Sequence, residues 1–453
     1  MYDLIIVGAG PAGYIAAERA GHMGKKVLIV EREHLGGVCT NYGCIPTKSL
    51  LNAAKHFVYG QESSKFGVHF DNPRFNFTEA MAWKTETVET LRKGIAFLMK
   101  QGSVEVVKGE AGFPGGTSVS VDKTVYEGIN LLIATGSEAF VPPIPGADGP
   151  NVVTNREILS LDKLPQKLAV IGGGVIGVEF ASFFSSVGVE VHVIEMMNEI
   201  CPMMDAEAAA LLRKKMDKVD FQLGAKVTEV TPSGVKFEKT DEKSGEKAES
   251  FIDADMVLMS VGRRPITAGL ENTGLDIGRQ GIVVDEKMHT NLPGVWAAGD
   301  VTGKSLLAHS ASRMAEVAVA NMFAGDDAST GGSIMRYNAV PWAVYTMPEV
   351  AGCGLTEGEA RDAGYNVNCA SMQMRANGRF LAEHGKDAGF CKVIADADTN
   401  LILGIHMIGA VCSEMIGTAA TFIEAELRVQ DIREIIFPHP SVSEVIRDVC
   451  WSL

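Results

Sequence analysis

The 453-residue chain contains no run of ~20 apolar residues, so no segment is expected to cross a membrane as a helix. Its N-terminus lacks a basic stretch followed by an apolar core. It opens on an apolar strand at residues 2–8, and a cytosolic, cytoplasmic protein is expected. An excess of positive charge is also missing. The net charge is −15 and the pI about 5.2, which argues against nucleic acid as a partner. The 8 cysteines show no metal-ligand spacing. Six of them (Cys201, Cys353, Cys369, Cys391, Cys412 and Cys450) are scattered and read as free buried thiols in a reducing compartment.

What the chain does have is glycine, 49 residues of it, with 46% hydrophobic and 21% charged residues. That composition suits a large α/β enzyme with many tight turns between strands and helices. The length implies two to four domains.

The remaining cysteines, Cys39 and Cys44, form a local pair in the segment 36–51, which also holds Gly36, Gly37, Pro46 and Lys48. Five positions apart on a regular helix they could not bridge, given a rise of about 1.5 Å per residue and the roughly 4.4–6.8 Å that a disulfide needs between Cα atoms. Pro46 cannot donate to the carbonyl of residue 42 and its ring clashes there, so the backbone is expected to distort at this point. A Cys39–Cys44 bridge then becomes feasible, of the exposed and reducible kind. Spacing alone leaves open that both are simply small buried residues.

Residues 3–7 form an apolar strand that runs into Gly8-Ala-Gly10-Pro-Ala-Gly13, a helix expected over 14–23, and a second strand at 26–30 ending in Glu31. These glycines permit a tight turn and let a pyrophosphate approach amides at the helix start, while Glu31 can accept from ribose hydroxyls. The pattern repeats with a strand at 168–171, Gly172-Gly-Gly174-Val-Ile-Gly177, a helix over 178–187, a strand at 190–194 and Glu195. Two complete fingerprints imply two dinucleotides. Glu195 would repel a 2′-phosphate, and Met196, Met197 and Asn198 offer no arginine to hold one, so the second dinucleotide is expected to be NAD.

Between the fingerprints, a helix is expected over 78–101 with Thr78 as N-cap, then strands at 104–108, 118–121 and 129–134. A proline-rich loop at 141–146 reads as a domain boundary. Later strands are expected at 225–230, 235–239, 249–252 and 256–261, with a charged hairpin at 240–247. An apolar strand then closes on Asp300, a helix follows over 307–323, and 324–332 reads as a linker. From residue 335 the composition changes to strands at 340–345, 365–375, 389–395 and 402–408, and helices at 356–363, 414–426 and 429–434. This last third has no nucleotide fingerprint and suits association. Near its end stand His439 between two prolines and Glu444 five residues on. Taken singly, His439 is equally a loop histidine, Glu444 an acid at a helix start, and Lys48 and Glu179 solvated helix residues.

Together these motifs resemble the pyridine nucleotide–disulfide oxidoreductases, and within them the dihydrolipoamide dehydrogenases. The resemblance spans the whole chain and is most specific at 36–48, 174–179, 262–265, 298–300, 306–309, 345–349 and 439–444. It implies an α/β fold with two Rossmann-like dinucleotide-binding domains, for FAD and NAD, a central domain, and a C-terminal α+β dimerisation domain. The implied boundaries are 1–145, 146–265, 266–334 and 335–453.

By the same resemblance, Gly8, Gly10, Gly13 and Glu31 hold the adenosine half of FAD. Ala111, Thr135, Gly136 and Ser137 line that cofactor, and Asp300 accepts from its ribityl chain. Leu306, Leu307, Ala308 and His309 open a helix whose positive end faces the flavin. Gly172, Gly174, Gly177, Glu195, Val227 and Gly262 bind NAD. Cys39 and Cys44 form the redox disulfide, with Cys39 facing substrate and Cys44 the flavin. Lys48 sits near the flavin edge, paired with Glu179. His439, oriented by Glu444, acts on the Cys pair of a second subunit, so a homodimer with shared sites is implied. The implied reaction oxidises a dihydrolipoyl group with NAD, and the implied partner is a lipoyl-bearing acyltransferase or glycine cleavage carrier protein.

Three departures stand out. Phe437 occupies a position that is often histidine, Pro438 one that is often alanine, and the adenine loop reads Gly109-Glu-Ala111 in place of two glycines. No lipoyl domain precedes the first strand, so the lipoyl arm is expected from another protein. A glutathione reductase would want arginines where Glu195 and Met196 stand. A mercuric reductase needs a vicinal C-terminal cysteine pair, and Cys450 is single. A flavin-stabilised assembly protein would not need Cys39, Cys44, Lys48, Glu179 and His439 together.

Overall fold

The structure, a computed structural model, describes residues 1–240, 247–324 and 332–453. The hairpin expected at 240–247 and the linker expected at 324–332 lie essentially outside the described residues.

The first sheet is built on Tyr2–Val7, flanked in parallel by Val27–Glu31 and Thr124–Ile133, with Glu105–Lys108 beyond. Leu4, Ile5 and Ile6 and their neighbours Leu28 and Ile29 are fully buried, as parallel strands covered on both faces require. Val295–Ala297 adds to Thr124–Ile133 in parallel, and the helix Ala308–Met322 packs on Pro11–His22. The segment after residue 266 therefore shares one hydrophobic core with the first fingerprint, Trp296 and Met314 lying in the same cluster as Leu4 and Leu132. This return of the chain brings Asp300 to the first fingerprint.

A second, all-parallel sheet runs in the order Val219–Gln222, Glu190–Ile194, Lys167–Ile171, Met256–Met259, Val152–Val153. An antiparallel trio, Ala225–Thr231, Gly234–Thr240 and Lys247–Asp253, lies beside it. The C-terminal sheet is antiparallel: Trp342–Val344, Val350–Gly354, Ile402–Ile408, Phe390–Asp396, Val367–Gln373. The helices Cys412–Glu424 and Glu444–Cys450 pack on it. Among the described residues, no helix is long and apolar enough to cross a membrane.

Both fingerprint helices begin three residues earlier than the spacing suggests, at Pro11 and Val175. Gly10 and Gly174 are the extended N-caps, so the third glycine of each motif is helical. Its missing side chain permits close packing: a Cβ on Gly13 would lie 1.8 Å from Gly8 O, and one on Gly177 2.1 Å from Gly172 O. The long helix is Phe77–Gln101, and its cap is Asn76 rather than Thr78, the Asn76 side chain accepting from Glu79 N at 3.3 Å.

Four of the elements that the sequence reading misses bear on the sheets or the site. The strand Ala111–Gly115 carries a proline and two glycines, which an edge strand tolerates. The strand Val350–Gly354 carries Gly352 because the Trp342 ring fills the space a side chain would need, 2.4 Å from its Cβ position. The other two are the helices Cys44–Glu62 and Glu444–Cys450.

Candidate active site

The cysteine segment is two helices, Gly37–Tyr42 and Cys44–Glu62, broken at Gly43. The break is not at Pro46, as the sequence suggests. Pro46 is the third residue of the second helix, where a backbone N–H has no intrahelical partner to lose. Gly43 adopts φ −143° and ψ −111°, and a Cβ there would lie 3.1 Å from Val38 O and 3.5 Å from Cys39 Cα. The turn at Gly43 thus folds the start of the second helix back onto Cys39. Cys39 and Cys44 stand as free cysteines, and each thiol acts on the other's proton. Cys44 is thereby lowered from the ordinary thiol value, with Lys48 acting in the same direction against burial and Glu179. Cys39 is raised, by Cys44 and by burial. The dithiol is therefore poised to hold one negative charge, on Cys44.

Lys48, one turn after Cys44, donates to both Glu179 oxygens at 2.9 and 2.7 Å. Glu179 comes from the second fingerprint helix and its side chain is 4% exposed, against 32% for Lys48. Tyr345 closes the group: its N–H donates to Glu179 Oε1 at 3.0 Å and its ring centroid lies 4.6 Å from Lys48 Nζ.

These residues line one end of a cavity of about 640 Å³. Gly8, Gly10, Glu31, Ala111, Thr135, Gly136 and Ser137 also line it, and so do Asp300 and the run Leu306, Leu307, Ala308 and His309. The helix Ala308–Met322 starts there with no side-chain cap, leaving its first amides free. His309 turns its ring away, Nε2 lying 2.7 Å from Pro341 O. Ser137 Oγ donates to Asp300 Oδ2 at 2.5 Å, and Arg263 Nε donates to Ser137 Oγ at 2.8 Å. Burial pushes the Asp300 carboxyl up, opposed by Ser137 and Arg263.

The two fingerprints are built alike. Gly8 and Gly172 have φ of +98° and +103° where the backbone turns against Ala134 and Ser260. Glu31 Oε2 accepts from Ala9 N at 2.8 Å, and Glu195 Oε2 from Gly173 N at 2.6 Å. Each acid also accepts from the amide two residues on, Glu33 N and Met197 N, both at 2.7 Å. A Cβ on Gly10 would meet only Gly37 Cα, at 3.9 Å, and one on Gly174 meets nothing within 4 Å. Neither helix start has a side-chain cap. Open space over free amides, with an acid at the next strand end, fits a dinucleotide at both places.

Gly172, Gly174, Gly177, Glu195, Val227 and Gly262 do not line the large cavity, though the adjoining Val175, Ile176 and Arg263 do. Gly172 and Glu195 follow the carboxyl ends of strands Lys167–Ile171 and Glu190–Ile194. Val227 is half-buried at the bulge in Ala225–Thr231, and Gly262 faces open space.

His439 lies outside the cavity. Its side chain is 82% exposed, with Nδ1 3.1 and 3.2 Å from the Glu444 oxygens. Glu444 is the first residue of its helix and is buried, so one carboxylate is both the acid at the helix start and the contact of the His439 ring. It accepts from Ser441 N at 2.9 Å, and that bond, with His439, lowers its carboxyl. Cys450 is fully buried in the C-terminal core.

Sequence reasoning gave no role to Arg263, Tyr345, Asn155 or Arg156. Asn155 Nδ2 donates to Tyr42 O at 2.7 Å, holding the end of the Cys39 helix. Arg156 pairs with Glu33 at 2.9 Å and covers the Tyr42 ring at 4.3 Å. Arg263 and Tyr345 fall inside motifs that the sequence reading did single out.

Residues 2–315 match the pyridine nucleotide-disulphide oxidoreductase family, and residues 340–450 match the dimerisation domain of that family. The dihydrolipoyl dehydrogenase of Thermus scotoductus is 39% identical over 100% of this chain and 97% of its own. The dihydrolipoyl dehydrogenase 3 of Pseudomonas putida is 38% identical, over 100% and 98%. Among solved structures, the HOCl-induced flavoprotein disulfide reductase RclA of Escherichia coli superposes with a TM-score of 0.86 at 30% identity, over 99% of each chain. With whole-length relatives at this identity and both family models matched, the chain belongs to the pyridine nucleotide-disulphide oxidoreductases.

Proposed function

We propose that this protein is an NAD-dependent dihydrolipoyl dehydrogenase, which oxidises protein-bound dihydrolipoyl groups to lipoyl groups. The observation that carries the reading is the Cys39–Cys44 pair beside the Lys48–Glu179 ion pair, where the first fingerprint unit meets the second. Full-length relatives of that name support it. FAD and NAD are the cofactors. FAD takes the large cavity, with Glu31, Ser137 and Asp300 among its ligands, and NAD takes the second fingerprint, with Glu195 on its ribose. When bound, FAD supplies the two-electron relay between the dithiol and NAD.

The protein's own groups carry the thiol chemistry. His439 of the partner subunit, held by Glu444, takes a proton from one substrate thiol. The resulting thiolate attacks Cys39 Sγ of the oxidised pair, a substrate–Cys39 bond forms, and the Cys39–Cys44 bond breaks. Cys44 leaves as a thiolate, favoured by Lys48 and by the free amides of the helix Ala308–Met322. The second substrate thiol, once deprotonated, attacks its neighbour sulfur and releases Cys39. Two electrons and two protons have then left the substrate as its ring disulfide closes.

The boundaries 1–145, 146–265, 266–334 and 335–453 divide the chain into FAD, NAD, central and interface parts. The protein is a homodimer with shared sites, a reading that the matched dimerisation domain and the exposed His439 support. The lipoyl arm comes from an acyltransferase or a glycine cleavage carrier protein, in the cytoplasm. A glutathione-reductase-like activity is the alternative, and Glu195 followed by Met196 opposes its NADPH. The deciding assay compares NAD-dependent oxidation of dihydrolipoamide with NADPH-dependent reduction of glutathione disulfide. Turnover in the second and none in the first overturns the proposal.

A further inference from the structure

We infer that Tyr345 is a positioning residue for the redox pair: its ring face holds the Lys48 ammonium where that charge favours the Cys44 thiolate. This deepens the reading of Cys39 and Cys44 as the working dithiol and rests on it.

The geometry is specific. Lys48 Nζ lies over the Tyr345 ring, 4.6 Å from its centroid, while it donates to both Glu179 oxygens. Tyr345 is 37% exposed and lines the cavity, so it is not a core filler. Its hydroxyl has no hydrogen-bond partner among the described residues, which leaves the ring face and the backbone N–H as its contacts to this group. A lysine tail has rotamer freedom to lose, and one carboxylate fixes it at a single end. Left to Glu179 alone, the ammonium could swing toward solvent while keeping its ion pair. An aromatic face as a second partner restrains the swing and is itself attractive to the cation. The Tyr345 N–H on Glu179 Oε1 fixes the carboxylate as well, so one residue sets both halves of the ion pair.

Other charges act on the same thiolate. Lys48 and Arg263 favour it; Glu179 and Tyr14 disfavour it or are disfavoured by it, and Cys39 shares its proton. Glu349 and Glu414 act on Tyr345 from the C-terminal side. Of these groups only Lys48 lies against the Tyr345 ring, and removal of the ring keeps the backbone bond to Glu179, so it isolates the hold on Lys48.

The test is the pH profile of alkylation of Cys39 and Cys44, mapped by peptide mass spectrometry on the FAD-containing dimer after reduction by one equivalent of a dithiol. Tyr345→Phe keeps the ring face and is expected to overlay the parent profile. Tyr345→Leu and Tyr345→Met are expected to move the midpoint up by about half a pH unit. FAD content and visible spectrum, unchanged, show that the cavity is intact. Overlay of both aliphatic variants on the parent overturns the inference, and so does a Phe variant that shifts as they do. The profile does not depend on the substrate's identity. Failure of the lipoyl reading would show separately, as a parent enzyme that does not oxidise dihydrolipoamide.

Discussion

Lys48 and Glu179, 131 residues apart in sequence, meet at 2.7 Å and join the cysteine-bearing helix to the second fingerprint helix. The pair pulls on Cys44 in opposite senses: Lys48 lowers its thiol and Glu179 raises it. Cys44 as a whole is lowered, so thiolate is expected below the ordinary thiol pKa of about 8.5 and lost as pH falls through the lower value. Lys48→Met should move the alkylation profile of the reduced pair to higher pH, and Glu179→Gln to lower pH. A shift of the same sign in both variants would contradict this arrangement.

Cys39→Ser and Cys44→Ser each remove one sulfur from a two-sulfur exchange. Either should reduce dihydrolipoamide turnover to background. Neither cysteine lies in the fingerprint turn at residues 8–13, so FAD content by absorbance should match the parent. Retained turnover in either variant would mean that thiol exchange takes another route.

Lys392 supplies a stability test away from the chemistry. Its side chain is 6% exposed and pairs with Asp205, 5% exposed, at 3.0 Å, with Glu207 at 3.1 Å. Asp205 also caps the helix Ala206–Lys215, so the pair ties the second unit to the C-terminal sheet. Lys392→Met leaves a buried carboxylate without its cation and should cost about 3–5 kcal/mol. Asp205→Asn keeps an acceptor for the cap and leaves Lys392 near Glu207, so its loss should be smaller. Urea midpoints of the FAD-loaded proteins check the order; equal losses would show that Glu207 does not hold Lys392 once the Asp205 charge is gone.

Much of this was legible in the sequence because it is local. The two fingerprints are short, and each carries its strand, turn, helix and acid within about 30 residues. The long-range pairs were legible only through resemblance: nothing in the local pattern of Lys48 or Glu179 points to the other. The break in the cysteine segment was misplaced because Pro46 is the conspicuous residue, whereas Gly43 supplies the turn. Tyr345 was missed as a site residue because its function depends on a neighbour 297 positions away (345 minus 48), which no window on the sequence contains.

His439 and the cysteine pair provide the sharpest test of the quaternary reading. On this chain His439 is 82% exposed, bonded to Glu444, and outside the cavity that holds Cys39 and Cys44. If it serves a partner's cysteines, each dimer has two sites, and each site takes its histidine and its sulfurs from different chains. His439→Gln homodimers should lose most activity, by roughly 10²–10⁴-fold if general base catalysis is the loss. Cys44→Ser homodimers should lose essentially all of it. A mixed dimer of the two variants contains one site with both defects and one site with neither. Verified heterodimers, isolated by two affinity tags, should therefore recover about half the parent rate per dimer. If His439 acted on its own chain's cysteines, each site of the mixed dimer would carry one defect and no such recovery could occur.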